Sequence, residues 1–276
     1  MVSSIVFSRN RASQLHLLLS SLSKNFCLSG TSVIYTYTDV EYGLGYTDVQ
    51  QFFPSNEGVN WILEEDFRKD TLEAIDKSDD LICFFTDDDI FYRPSPVSHN
   101  DIGNLFESIS NMCCLSFRLG SNTTIQDQYT GQVCVTPKKV VNYEENFFVW
   151  DWKNYKGPVS NFYYPFSVDG HVYRKSDVQA LLSRYEFSNP NNLEGDGTLH
   201  TEVLPPYMSC LEHSCVVNTP VNIAGDSNNR AGEKFGASLR DMNSRYLDGE
   251  RVSLKDIDFS NIIGCHQELD MISNAN

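Results

Sequence analysis

The chain has 276 residues, 41% hydrophobic and 21% charged, enough apolar material for one large α/β domain. Its net charge of −16, with no Lys/Arg run, excludes the basic footprint of a nucleic-acid-binding protein. No apolar stretch reaches the roughly 18 residues that a membrane-crossing helix needs. An acidic chain that handles an anionic ligand must do so locally, through a metal ion or a few Arg and Lys side chains.

In chain order, residues 4–7 form a short apolar strand that opens into Ser8-Arg-Asn-Arg11. Leu15, Leu18, Leu19 and Leu22 then repeat along one face of a helix. Residues 32–39 are rich in β-formers and end in an acid, so they predict a second strand and a βαβ unit. A loop with Gly43 and Gly45 follows, then a helix over 64–77 with Phe67, Leu72 and Ile75 inward. Residues 81–85 are five apolar residues in a row, a strand buried on both faces. Residues 102–109 read as a helix and 113–119 as a strand. From 120 to 165 aromatics crowd together and Gly157-Pro158 and Pro165 break regular structure. Asp169-Gly170 marks a tight turn, 178–185 a helix, 189–197 turn chemistry with carboxylates, and 215–223 a late strand. The stretch 225–232 is polar and rich in turn residues, and 238–276 a short helix with irregular segments. The expected organisation is one continuous domain over 1–276: a nucleotide-binding half (1–95), an acceptor and catalytic half (96–235) and a C-terminal tail (236–276). The eight cysteines lack C-x-x-C spacing, and the opening residues lack the apolar core of a signal peptide. Both point to reduced thiols in a soluble cytoplasmic protein.

The chain is organised around Asp87-Asp88-Asp89, directly after the apolar strand. In extended chain Asp87 and Asp89 share a side and Asp88 turns away. Two converging carboxylates call for a cation, and oxygen ligands suit Mg²⁺ or Mn²⁺ completed by a diphosphate. Ligands of open α/β sheets bind outside the carboxyl ends of the strands, where this triplet falls. The plain alternative is a solvated acidic turn.

Four segments carry a resemblance: residues 5–15, Ile-Val-Phe-Ser-Arg-Asn-Arg-Ala-Ser-Gln-Leu; residues 84–94, Phe-Phe-Thr-Asp-Asp-Asp-Ile-Phe-Tyr-Arg-Pro; residues 164–174, Tyr-Pro-Phe-Ser-Val-Asp-Gly-His-Val-Tyr-Arg; and residues 189–194, Asn-Pro-Asn-Asn-Leu-Glu. In this order, over 4–232, the chain resembles nucleotide-sugar-dependent glycosyltransferases of the GT-A fold, close to the family-2 type, as found in bacteria and large viruses. The resemblance implies a Rossmann-like, mixed but mostly parallel sheet flanked by helices, with a loop-rich acceptor half. It implies transfer of a sugar, with inversion, from a nucleotide-diphosphate donor to a glycan or other hydroxyl acceptor, aided by Mn²⁺ or Mg²⁺.

The same resemblance implies roles for individual residues. Asp39 would contact the base or ribose, Arg9 and Arg11 the phosphates, and Arg68 a phosphate or the base. Asp87 would meet the ribose or the metal, Asp89 would bind the metal, and Asp88 shares either task. The proton of the acceptor hydroxyl would pass to Glu194, with Asp169 as a sugar contact, or with the two exchanged; Asp196 is a third candidate. Glu194 stands in Leu-Glu-Gly where the family carries Glu-Asp. His213 and His266 are candidate third metal ligands, His171 a neighbour of the site, and Asn228 and Arg230 a lid over the diphosphate. Trp150, Trp152, Tyr163 and Tyr164 offer faces for an acceptor sugar, against the ordinary alternative of core packing. Two competing classes are a non-catalytic carbohydrate- or metal-binding module and a sugar-nucleotide nucleotidyltransferase. Ser8-Arg-Asn-Arg11 lacks the glycines that the latter uses for a triphosphate.

Overall fold

β1 (Val2–Arg9) is buried along all but its last residue, as expected of a strand covered on both faces. The computed structural model that shows this describes residues 1–141, 143–158, 160–224 and 230–271. The chain leaves β1 through Asn10, whose φ of 58° is left-handed and suits a short polar side chain. It then enters α1 (Ala12–Asn25), where the predicted leucine stripe is fully buried. Each leucine so placed contributes roughly 1.5–3 kcal/mol of burial. β2 (Thr31–Thr36) follows.

The expected Gly43/Gly45 loop is instead a helix, α2 (Val40–Phe52). Asp39 caps it, accepting from the backbone N–H of Glu41 at 3.0 Å and of Tyr42 at 3.2 Å. Gly45 serves close packing, since a Cβ there would come within 2.8 Å of Ala12 Cβ and 2.4 Å of Asn243 Oδ1. β3 (Val59–Leu63) is a further strand that periodicity did not reveal, because its two faces are unevenly covered. α3 (Phe67–Lys77) starts at Asp66, which accepts from Lys69 N at 2.9 Å. β4 (Leu81–Thr86) is the predicted apolar strand; the chain turns at Asp87 and Asp88 and continues as β5 (Asp89–Phe91).

α4 (His99–Ser108) and β6 (Met112–Ser116) match expectation within a few residues. The aromatic stretch supplies β7 (Ile125–Asp127) and β8 (Phe147–Asp151), and the Asp169-Gly170 turn leads into β9 (His171–Arg174) and α5 (Lys175–Leu182). Residues expected to be turns form α6 (Pro190–Gly197), with Asn189 as cap and Pro190 in the first helical position. β10 (Tyr207–Leu211), β11 (Val216–Asn218), α7 (Leu239–Leu247) and β12 (Gly264–His266) complete the chain.

The main sheet has the order β3-β2-β1-β4-β9-β6-β10-β8. β1 to β4 run parallel, β9 is antiparallel to both neighbours and β8 is antiparallel to β10. The fold is therefore Rossmann-like α/β with a mixed, mostly parallel sheet flanked by helices, as expected. A second sheet, β5-β11-β12-β7, packs beside it. The register aligns Arg9 with Thr36 and Phe7 with Thr86, so the carboxyl ends of β1, β2 and β4 share one edge. β5 and β11 pair Asp89 with Asn218, and β12 brings His266 beside Asn218. All eight cysteines are free, and all but Cys27 are buried. Among the described residues no helix is long and apolar enough to cross a membrane.

Candidate functional site

A cleft of about 920 Å³ opens along that edge. Its walls include Arg9, Arg11, Asp87, Asp88, Asp169, Glu194, Arg230 and His266. Thus eight of the sequence-predicted site residues, from both halves of the chain, line one cavity.

The acidic triplet is arranged differently from an extended strand. Because Asp87 and Asp88 form the turn between β4 and β5, these two neighbours converge, and Asp89 points inward. Arg11 fills the space between the converging pair: its Nη1 donates to Asp87 Oδ1 and to Asp88 Oδ2, both at 2.9 Å. Its Nε donates to Asn222 Oδ1 at 2.8 Å, and its Nη2 to the Asn222 carbonyl. Arg11 is therefore committed inside the protein and does not offer its fork to a phosphate. Asp87 Oδ2 also accepts from Ser8 Oγ at 2.8 Å and from Arg9 N at 3.1 Å. Asp89 has no exposed surface and accepts from Thr86 N at 3.0 Å and Asn218 Nδ2 at 3.2 Å.

Electrostatics divide the triplet further. Burial pushes Asp87 up to about 6, with Arg11 opposing the rise. Burial works against the Asp88 anion too, but Arg11, Thr86 and Asn218 hold it below the ordinary range. Burial, with Asp169 and Asp88 nearby, drives Asp89 well above that range. The expected metal pair Asp87/Asp89 does not fit a shared divalent ion. The oxygens of Asp87 already have three donors, one of them the Arg11 guanidinium, and Asp89 is sealed from the cleft. Among the described residues no three His, Cys, Asp or Glu side chains form a ligand group.

Behind the opposite wall lies Arg118, a buried residue after β6 that sequence reading passed over. Its Nη1 donates to Asp169 Oδ2 at 3.0 Å and lies 3.2 Å from His266 Nε2, while its Nε is buried without a partner. A charged residue inside the apolar run 113–119 was the available signal. Asp169, carried by the Asp-Gly turn, also meets Thr86 Oγ1 at 3.0 Å. That hydroxyl lies 2.9 Å from Asp88 Oδ1, so one proton serves two carboxylates. Glu194, on α6, accepts at Oε1 from Val168 N at 3.3 Å and also meets the Ser167 hydroxyl. Burial and the charge of Asp169 raise it to about 7, against the pull of Arg118.

The remaining candidates fall elsewhere. Asp39 is the cap of α2 and pairs with exposed Arg240 at 3.5 Å; it does not line the cleft. Arg68 pairs with exposed Glu186 at 3.1 Å, sits over the Phe187 ring and stays outside the lining. Arg230 lies at the cleft, paired to Glu233 and 4.9 Å from the centroid of the Tyr129 ring. Asn228 lies outside the described residues. Asp196, His171 and His213 do not line the cleft. Neither do Trp150, Trp152, Tyr163 or Tyr164: the first two are core residues that donate to the Phe162 and Pro205 carbonyls.

No family model and no curated relative matches the chain. Among solved structures, a TarS fragment from S. aureus is similar at 15% identity, with TM-scores of 0.42 alone and 0.44 in complex with UDP. That match covers 78% of this chain and 59% of the TarS chain, so this chain spans less than two thirds of that structure. A cytidylyltransferase from Leptospira borgpetersenii is similar at 12% identity, covering 90% of this chain and 94% of the other, with a TM-score of 0.41. A UDP-glucose pyrophosphorylase is similar at 9% identity, covering 90% and 99%, with a TM-score of 0.41. Likenesses this distant do not decide a reaction; the side chains of the cleft carry the functional reading.

Proposed function

We propose that the chain is a nucleotide-sugar-utilising transferase, and specifically a glycosyltransferase with this cleft as its active site. The observation that carries the proposal is one cavity, at the carboxyl edge of parallel strands, in which an exposed arginine faces two carboxylates held by unlike environments. Arg9 supplies a charge for a donor diphosphate. Asp169, ion-paired to Arg118, is a fixed acceptor for sugar hydroxyls. Glu194 has spare lone pairs and an affinity for protons near neutrality, the property of a general base.

In the transfer, the acceptor hydroxyl oxygen attacks the anomeric carbon and its proton passes to Glu194. The new C–O bond forms as the bond from carbon to the phosphate oxygen breaks, and the nucleoside diphosphate leaves with that electron pair. Arg9 meets the charge that develops there. No step is assigned to a metal ion, because Asp87 and Asp89 do not fit one.

The test is incubation with UDP-, GDP-, CDP- and dTDP-sugars, with and without Mn²⁺, scoring nucleoside diphosphate and pyrophosphate separately. Glu194-dependent release of the nucleoside diphosphate is expected. Pyrophosphate release from a nucleoside triphosphate plus a sugar phosphate assigns a nucleotidyltransferase instead. Failure of every nucleotide to bind, under either metal condition, ends the proposal.

A further inference from the structure

Beyond the acids, the cleft has an apolar end whose rim carries Glu64, a residue with no role so far. Glu64 follows β3 and donates its backbone N–H to the Tyr35 carbonyl at 2.9 Å, which extends the ladder by one residue. It therefore stands beside Thr36, and Thr36 beside Arg9, in a row along the strand ends. Phe7, Ile34 and Phe67 line the same cleft, with the rings of Phe7 and Phe67 5.1 Å apart. These form an apolar seat, its two rings tilted by 49°, against which a planar heterocycle can pack.

The Glu64 carboxylate is half-buried, and among the described residues it makes no hydrogen bond or ion pair. Burial and nearby Asp70 raise its proton affinity, with Arg9 opposing. A partly desolvated acceptor without donors is costly unless a ligand supplies them. The chemistry of the bases then discriminates. Guanine presents two adjacent donors, N1–H and the N2 amino group, which match both oxygens of a carboxylate. Uracil and thymine present one N–H between two carbonyls, which repel a carboxylate. Cytosine and adenine present an amino group beside a ring-nitrogen acceptor.

We infer that Glu64 is the base-reading residue of the cleft and that it selects a guanine nucleotide, seated over Phe7, Ile34 and Phe67. This rests on the nucleotide-sugar reading above. It does not depend on Glu194, on Asp169 or on the fate of the sugar.

The test is calorimetric titration of the wild-type chain and Glu64→Gln with GDP, IDP, UDP, CDP and ADP. GDP should bind most tightly. IDP, which lacks only the N2 amino group, and UDP should each bind roughly ten- to hundredfold more weakly. Glu64→Gln should lose a similar factor for GDP while UDP affinity is unchanged or improved; its unfolding midpoint checks that the fold is kept. Equal affinity for GDP and IDP, a preference for UDP, CDP or ADP, or a GDP:UDP ratio unaltered by Glu64→Gln each overturns the assignment while leaving the transferase reading standing. Failure of all five, and of dTDP, to bind with or without Mn²⁺ removes both.

Discussion

At the β4–β5 turn, Asp87 has three donors on its two oxygens and Asp88 shares Arg11 with it. Across the cleft, Glu194 accepts from Val168 N and the Ser167 hydroxyl and, among the described residues, pairs with no arginine, and Asp169, paired to Arg118, shares the Thr86 hydroxyl proton with Asp88. Both regions are acidic and lie on one cavity, yet their chemistry diverges. Where donors match acceptors, as at Asp87, a carboxylate becomes part of the frame. Where donors are too few, lone pairs stay available for a proton or a substrate hydroxyl. Counting donors separates frame from chemistry more sharply than the acid's place in a motif.

Arg11→Leu breaks the comparison most severely, because it leaves two buried carboxylates without their cation. A loss of about 3–5 kcal/mol is expected in denaturant unfolding; a loss below about 1 kcal/mol would show that Asp87 and Asp88 are solvated. Glu194→Gln should leave the fold intact and lower transfer about a hundred- to ten-thousandfold, measured as kcat on a responsive donor. Unchanged kcat would move the base to another residue.

The pH response sharpens the same contrast. Because Glu194 must be ionised to accept a proton, kcat/KM should fall about tenfold per pH unit below about 7. Stability has the opposite sign. A carboxyl raised from 4.5 to about 7 contributes fully below 4.5 and loses that contribution as pH rises through about 7. Unfolding of Glu194→Gln against pH should lack this component. Smaller still, Asp39→Ala should cost about 1 kcal/mol through the lost α2 cap. It should leave nucleotide affinity unaltered in a titration, and a tenfold weakening would return Asp39 to the site.

Local chemistry was legible wherever one residue's neighbours in sequence are also its neighbours in space. The α1 leucine stripe, the buried run of β4 and the position of the acids at the strand ends all followed from period and composition. Glycines in α2 and the Asn/Pro/Gly content of α6 suggested loops because propensity cannot foresee that Gly45 must pack against Ala12, or that Asn189 and Pro190 start a helix. The triplet's direction was misjudged for a related reason: alternation holds only while the strand continues, and here it turns at Asp87.

The sequence by itself determined an α/β chain with a carboxylate cluster at the edge of its first parallel strands, since hydrophobic period and strand order are local properties. Only the tertiary structure decided that Arg11 occupies the Asp87–Asp88 gap, that Arg118 underlies Asp169, and that Asn218 reaches the triplet from a strand more than a hundred residues away. Those pairings set which acids are neutralised and which remain reactive. They depend on donors brought together by folding, which no spacing along the chain encodes.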